Sequence, residues 1–203
     1  LTPERIFLFD IQDKKILLFT RRGKFITDIR PHGREPGEWL GITDFTVDET
    51  DREIIVTADR PYKFLYYDYN GNFLREKTSE AFYTEITRTT DNILAINSKV
   101  LEPIHYLSLL NEEDHRITVA KKIPLAFTYR GEFRCRGSYL LKSEHLYFTQ
   151  NGDYTIYSWD NNRIKPVVTV DFGKYSYNPT QLNEEPHAPK QSAFDHKCKR
   201  NTQ

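Results

Sequence analysis

Methionine is absent from this 203-residue sequence, cysteine occurs twice, and 29 Lys+Arg against 29 Asp+Glu leave no net charge. Each absence removes a class of explanation. The balanced charge gives no long-range pull toward a phosphate backbone, so no nucleic-acid partner is expected. Charges are spread along the chain rather than blocked, which argues against a polybasic membrane patch. No run of about 18 apolar residues occurs, so no membrane span is expected. Cys135 and Cys198 form neither a disulfide framework nor a CxxC metal pair. A bridge between them stays open, because spacing alone does not bring two sulfurs together. With Leu1 in first place and no initiator, the expectation is a trimmed chain, with a lipid anchor allowed on the missing N-terminus.

Catalytic motifs are missing as well. There is no GxSxG, no SxxK and no GxxxxGK[ST] phosphate loop. The six histidines, at 32, 105, 115, 145, 187 and 196, form no HxH or HExxH pair. His196 and Cys198 make a lone HxC in a polar tail, with His187 upstream, which is a thin basis for a metal site. Cys135 lies between Arg134 and Arg136, and neighbouring cations lower a thiol pKa. In a strand, however, it points away from both, and it reads as a small packed residue.

What the chain does have is aromatics, 14 % of residues with 13 Tyr and 13 Phe, a composition that favours strands. It also has a repeat. Residues 15-KILLFTRRGKFI-26 align without a gap on 63-KFLYYDYNGNFL-74, an offset of 48 that sets Leu17 on Leu65, Gly23 on Gly71 and Phe25 on Phe73. A third copy is 146-LYFTQNGDYTIYSWDNN-162, and a weaker one runs through 92-NILAIN-97 and 105-HYLSLLNEED-114. Asn70-Gly71 between two apolar runs predicts a hairpin with a two-residue type I′ turn. The second copy supplies the full unit: strands 42–48, 53–59, 64–68 and 73–77. Four short antiparallel strands in about 45 residues is the pattern of a propeller blade.

The expected fold is therefore all-β, a β-propeller of four-stranded antiparallel blades. About four blades are present, at approximately 5–30, 42–77, 82–122 and 133–172, and the first lacks its innermost strand. Residues 173–203 read as a polar, proline-containing tail or inter-blade segment.

The residues Gly23-Lys24-Phe25, Gly33, Pro36-Gly37-Glu38, Asp44-Phe45, Val47-Asp48, Val56, Asp59, Asp68, Gly71 and Phe73 form a pattern that resembles NHL repeats. More closely, it is similar to bacterial six-bladed propeller proteins related to them. That resemblance implies four blades out of six, and export to the periplasm or cell surface of a bacterium. It also implies a binding or scaffolding role that meets a glycan or a partner protein. Some such propellers are lyases or lactonase-like hydrolases with a metal in the central channel. The enzyme alternative would rest here on Asp44, Glu85 and Glu132 aimed at the axis.

For the 33-GREPGEWL-40 loop, Pro36 presets φ for a turn and Gly37 supplies the positive φ after it, a type II geometry. Glu38 is then expected to accept backbone N–H groups, and Trp39 to cover the junction between blades or to stack on a ligand. Asp48, Asp59 and Asp68 end strands; as a set they raise calcium, but each is better read as capping a turn. In a four-stranded blade, the loops between strands two and three and between blades share one face. That face collects Arg34, Trp39, Arg60, Tyr62, Lys63, Arg130, Asn151 and Asp153 as the expected ligand-binding residues, with Arg30, His32, Lys99, His105, Tyr129 and Gln150 nearby. Arg, Tyr and Trp are enriched where proteins recognise ligands. No catalytic residue and no resident cofactor are assigned.

Overall fold

The computed structural model describes residues 1–79, 81–89, 92–96, 105–111, 116–122, 140–142, 145–149, 154–160 and 163–175. Among these there is no α-helix, only strands and one short 3-10 turn, Gly173–Tyr175. A three-stranded antiparallel sheet holds β1 (Arg5–Asp10), β2 (Lys15–Thr20) and β3 (Phe25–Ile29). Three four-stranded sheets follow. The first is β4 (Ile42–Asp48), β5 (Glu53–Asp59), β6 (Tyr62–Asp68) and β7 (Phe73–Thr78). The next is β8 (Glu85–Arg88), β9 (Ile93–Ile96), β10 (His105–Leu110) and β11 (Arg116–Lys122). The last is β12 (Leu140–Lys142), β13 (Leu146–Phe148), β14 (Thr155–Asp160) and β15 (Arg163–Thr169). In every sheet, strands neighbour one another in chain order. The chain forms two compact units, the first carrying β1 to β10 and the start of β11, the second carrying β12 to β15.

Side-chain alternation explains the packing within the first unit. Strand residues point to opposite faces with period two. On β5, Ile54, Val56 and Ala58 face one way and meet Phe7, Ile16, Leu18 and Ile29 of the first sheet; Ile55 faces the other way, toward Ile86, Ile93 and Ala95. On β6 the same split sends Leu65 and Tyr67 to the first sheet, and Phe64 and Tyr66 to the third. The middle sheet is thus apolar on both faces, which is why 54-IIV-56 and 64-FLYY-67 read as unbroken apolar runs.

The repeat is visible in the corners. At Thr20–Lys24, Gly23 has φ +83°; its N–H donates to the Thr20 carbonyl at 2.9 Å, and the Thr20 N–H donates to the Lys24 carbonyl at 2.8 Å. At Asp68–Asn72, Gly71 has φ +84°, with the corresponding bonds at 3.0 and 2.9 Å. A register shift accompanies each corner, between Leu18 and Phe19 and between Tyr66 and Tyr67. These are three-residue loops closed by a glycine in the left-handed region with a bulge. They are not the two-residue type I′ turn expected at Asn70-Gly71. Asp68 decides the difference: its Oδ1 accepts from the N–H of Asn70 at 2.8 Å and of Asn72 at 2.9 Å, which needs the longer loop.

Consecutive sheets are also joined by side chains. Along β4, three residues on alternate positions reach β8. Asp44 Oδ2 accepts from Ile86 N–H at 2.9 Å, Thr46 Oγ1 from Arg88 N–H at 3.1 Å, and Asp48 Oδ2 from Arg88 Nε at 2.6 Å. The open edge of β8 is therefore satisfied by a column of side chains rather than by another strand.

Candidate ligand-binding site

Residues 30–41 connect β3 to β4, and their course is fixed by one turn. Gly37 sits at φ +82°, Glu38 N–H donates to the Glu35 carbonyl at 2.9 Å, and Glu38 Oε2 accepts from Glu35 N–H at 3.0 Å. The turn is pinned to the middle sheet from two sides. Tyr67 Oη donates to the Gly37 carbonyl at 2.7 Å, and Gly37 N–H donates to Glu76 Oε2 at 2.9 Å. Burial, with the Glu76 charge adding to it, raises the Tyr67 phenol well above its ordinary pKa and keeps it a donor. Burial alone would raise Glu76, but bonds from Lys63 Nζ and Gly37 N–H outweigh it and hold its carboxyl below the usual range.

A side chain has no room at Gly37, because an added Cβ would lie 2.9 Å from the Phe73 ring. Gly37→Ala is expected to cost about 1–2 kcal/mol through the positive φ and the displaced ring. Urea unfolding would measure it; a variant as stable as the parent would mean that the turn relaxes freely.

On this frame, Arg34, Arg60 and Tyr62 come together. With Leu40, Asp59 and Pro61 they line an open cavity of about 610 Å³. The turn between β5 and β6 places Arg60 and Tyr62, with Asp59 opposite Tyr62 in register and the Arg60–Pro61 peptide cis. Arg34 is exposed and has no hydrogen-bond or ion-pair partner among the described residues. Arg60 Nε meets Asp59 Oδ1 at 3.4 Å. The Asp59 carboxylate in turn lies against Gly41, where an added Cβ would fall 2.0 Å from its Oδ1. Tyr62 is 42 % exposed, and its ring packs on Phe82 at 5.6 Å.

Two residues of the expected face lie elsewhere. Trp39 is 1 % exposed and belongs to the core between the first and middle sheets, edge-on to Tyr67 at 6.1 Å. Its ring covers the junction and is closed to a ligand. Lys63 is 4 % exposed and bonds Glu76 at 2.7 Å. It lies inside β6, on the face that carries Leu65 and Tyr67, so alternation turns its stem inward. Arg30 is exposed and pairs with Asp28 at 3.1 Å, and exposed His32 bridges Trp39 through the backbone. Arg130, Asn151, Asp153, Lys99, Tyr129, Gln150, Glu132, Cys135, Cys198, His187 and His196 lie outside the described residues, as does the side chain of His105.

The strand-ending acids serve turns or ion pairs. Asp48 Oδ1 accepts from Thr50 and Asp51 N–H at 2.9 and 3.1 Å. Burial alone would raise Asp48, yet those N–H groups and the Arg88 guanidinium hold it below the usual carboxylate range. Asp68 caps its loop as described, and Asp59 pairs with Arg60. Among the described residues, no three His, Cys, Asp or Glu gather in a way that would hold a metal ion. Asp44 is the carboxylate that sequence reasoning understated. Burial, with the nearby Glu85 charge adding to it and the Ile86 and Phe45 N–H groups opposing, raises it to about 7.

The family model described as Domain of unknown function (DUF4934) matches residues 1–200. No curated protein matches. Among solved structures, the chain is similar to a Bacteroides fragilis NCTC 9343 protein assigned as exported, at 18 % identity and TM-score 0.67, over 83 % of this chain and 49 % of that one. It is similar to a DUF4221-family member from Bacteroides vulgatus ATCC 8482, at 11 % identity and TM-score 0.61, over 83 % of this chain and 55 % of that one. It is also similar to the WD40 repeats of RRP9, at 12 % identity and TM-score 0.51, over 80 % of this chain and 47 % of that one. At such identities the likeness is one of fold. WD40 repeats form four-stranded propeller blades, so the antiparallel sheets have propeller-like counterparts. The chain spans about half the length of the solved structures it matches.

Proposed function

The chain belongs to the family described as Domain of unknown function (DUF4934), and for this member we propose a non-catalytic binding or scaffolding role that meets a glycan or a partner protein through one loop face. The observation that carries it is the open cavity where Arg34, Arg60 and Tyr62 converge from two separate corners. Exposed side chains brought together by loops on a rigid sheet are the usual makings of a recognition site. The sheets, read as blades of an NHL-like ring of six, would hold those corners on one rim, with residues 1–172 forming blades and 173–203 a tail or inter-blade segment. Export to the periplasm or cell surface, on a lipid anchor or free, is supported by the fold likeness to a Bacteroides protein assigned as exported.

The enzyme alternative draws on Asp44 and Glu85. Asp44 Oδ2 already accepts the Ile86 N–H, a structural duty that joins two sheets, so the binding reading is favoured. A glycan array tests it. Retention of at least one glycan, weakened about tenfold or more by Tyr62→Ala, is the expected result. Silence across acidic and neutral glycans alike would remove the glycan reading.

A further inference from the structure

We propose that the Arg34–Arg60–Tyr62 cavity takes an acidic saccharide, with a uronate carboxylate held between the two guanidinium groups and a sugar face laid on Tyr62. This rests on the binding reading and specifies its ligand chemistry. Charge comes first. Among the described residues, the cavity is lined by two arginines and one aspartate, an excess of one positive charge that suits a single carboxylate better than a dianionic phosphate. Donor supply comes second. Asp59 bonds Arg60 through Nε, at 3.4 Å, and it is set back against Gly41, so among the described residues the terminal amino groups of Arg60 have no hydrogen-bond partner and can serve a ligand. Arg34 adds a whole guanidinium without a partner among the described residues. A planar fork of N–H donors matches a carboxylate in bidentate fashion.

The walls favour a ring over an extended side chain. Leu40, Pro61 and Tyr62 make the cavity apolar beside its charges. The Tyr62 ring packs on Phe82 yet the residue stays 42 % exposed, so it is held from one side and still accessible. The aliphatic C–H face of a pyranose suits such a ring, and about 610 Å³ lies within the range of small-ligand sites.

Calorimetric titration at low salt with tri-galacturonate, its carboxyl-reduced neutral counterpart and a tri-glutamate peptide tests the assignment. The uronate is expected to bind about tenfold or more tightly than the reduced trisaccharide. Arg34→Gln and Arg60→Gln should each erase most of that preference, whereas Tyr62→Ala should weaken both saccharides. All three positions are exposed, so the variants should keep the parent's thermal midpoint. Equal affinity for the reduced trisaccharide would overturn the acidic assignment and leave glycan binding standing. Tightest binding of the peptide would overturn the saccharide in favour of a protein partner. If none of the three binds, the acidic-saccharide assignment fails, while the glycan reading beneath it is decided separately by the array.

Discussion

Trp39→Ala should destabilise the protein by about 3–5 kcal/mol and leave the Arg34, Arg60 and Tyr62 cavity still able to bind. The first half follows from placement. The indole is 1 % exposed and packs in the cluster shared by Phe7, Ile16 and Leu18 of the first sheet and Ile54, Val56 and Leu65 of the middle one. Truncation removes its apolar contact area and opens a void between two sheets that β-strand backbones cannot close by sliding. The edge-on contact with Tyr67 is lost too. The second half follows because Trp39 does not line the cavity, and its backbone keeps the bond from Gly33 N–H at 3.2 Å. Urea unfolding gives the stability, and titration with any glycan found on the array gives the affinity. A variant that kept its stability and lost the ligand would return Trp39 to the rim.

The same residue shows where sequence reading ends. The repeat at an offset of 48 located β5 and β6 to within a residue or two, because apolar runs and the Gly23 and Gly71 corners are local signals. The Pro36-Gly37 turn was legible for the same reason. Side-chain direction in an irregular loop was not. A tryptophan after a tight turn looks alike whether it stacks on a sugar or fills a junction, and only Tyr67, 28 positions away, decides it. Lys63 was closer to legible. Beginning β6 at Tyr62 instead of Phe64 puts Lys63 in phase with Leu65 and Tyr67, and hence facing inward. The expected loop turn at Asn70-Gly71 failed because Asp68 competes for the backbone N–H groups, a three-residue preference hidden behind a strong two-residue motif. Arg34 and Arg60 are grouped by blade topology alone, and they line one cavity; no local pattern links them.

Asp44 makes the other large expectation, a dependence of stability on pH. Its carboxyl lies on β4 and accepts the Ile86 N–H from β8. Burial, aided by Glu85, raises its pKa from 3.8 to about 7. A carboxyl whose folded pKa exceeds its unfolded value binds more protons in the folded state across the window between them. Stability from this group is therefore complete below about pH 4, falls as pH rises through the window, and levels off above about 7. At roughly 1.4 kcal/mol per pH unit the upper limit is about 4 kcal/mol; allowing for partial solvent access, about 2–4 is expected. Asp10, Asp48, Asp68 and Glu76 are held below their ordinary values and act in the opposite sense, losing stability as pH falls through the acid range. Only a difference measurement isolates Asp44. Asp44→Asn keeps a carbonyl oxygen for the Ile86 N–H and removes the ionisation, so it should match or trail the parent near pH 4 and exceed it by about 2–4 kcal/mol at pH 8. Asp44→Ala strands that N–H and should lose about 1–3 kcal/mol near pH 4, where no charge is at stake. Urea curves for the three proteins at pH 4, 6 and 8 separate the two contributions. A gap between parent and Asp44→Asn that stays constant across pH would show that Asp44 ionises normally between the sheets. A gap that opens with rising pH would mean that the joint between β4 and β8 is made by a carboxyl group that is largely neutral when the sheets are docked.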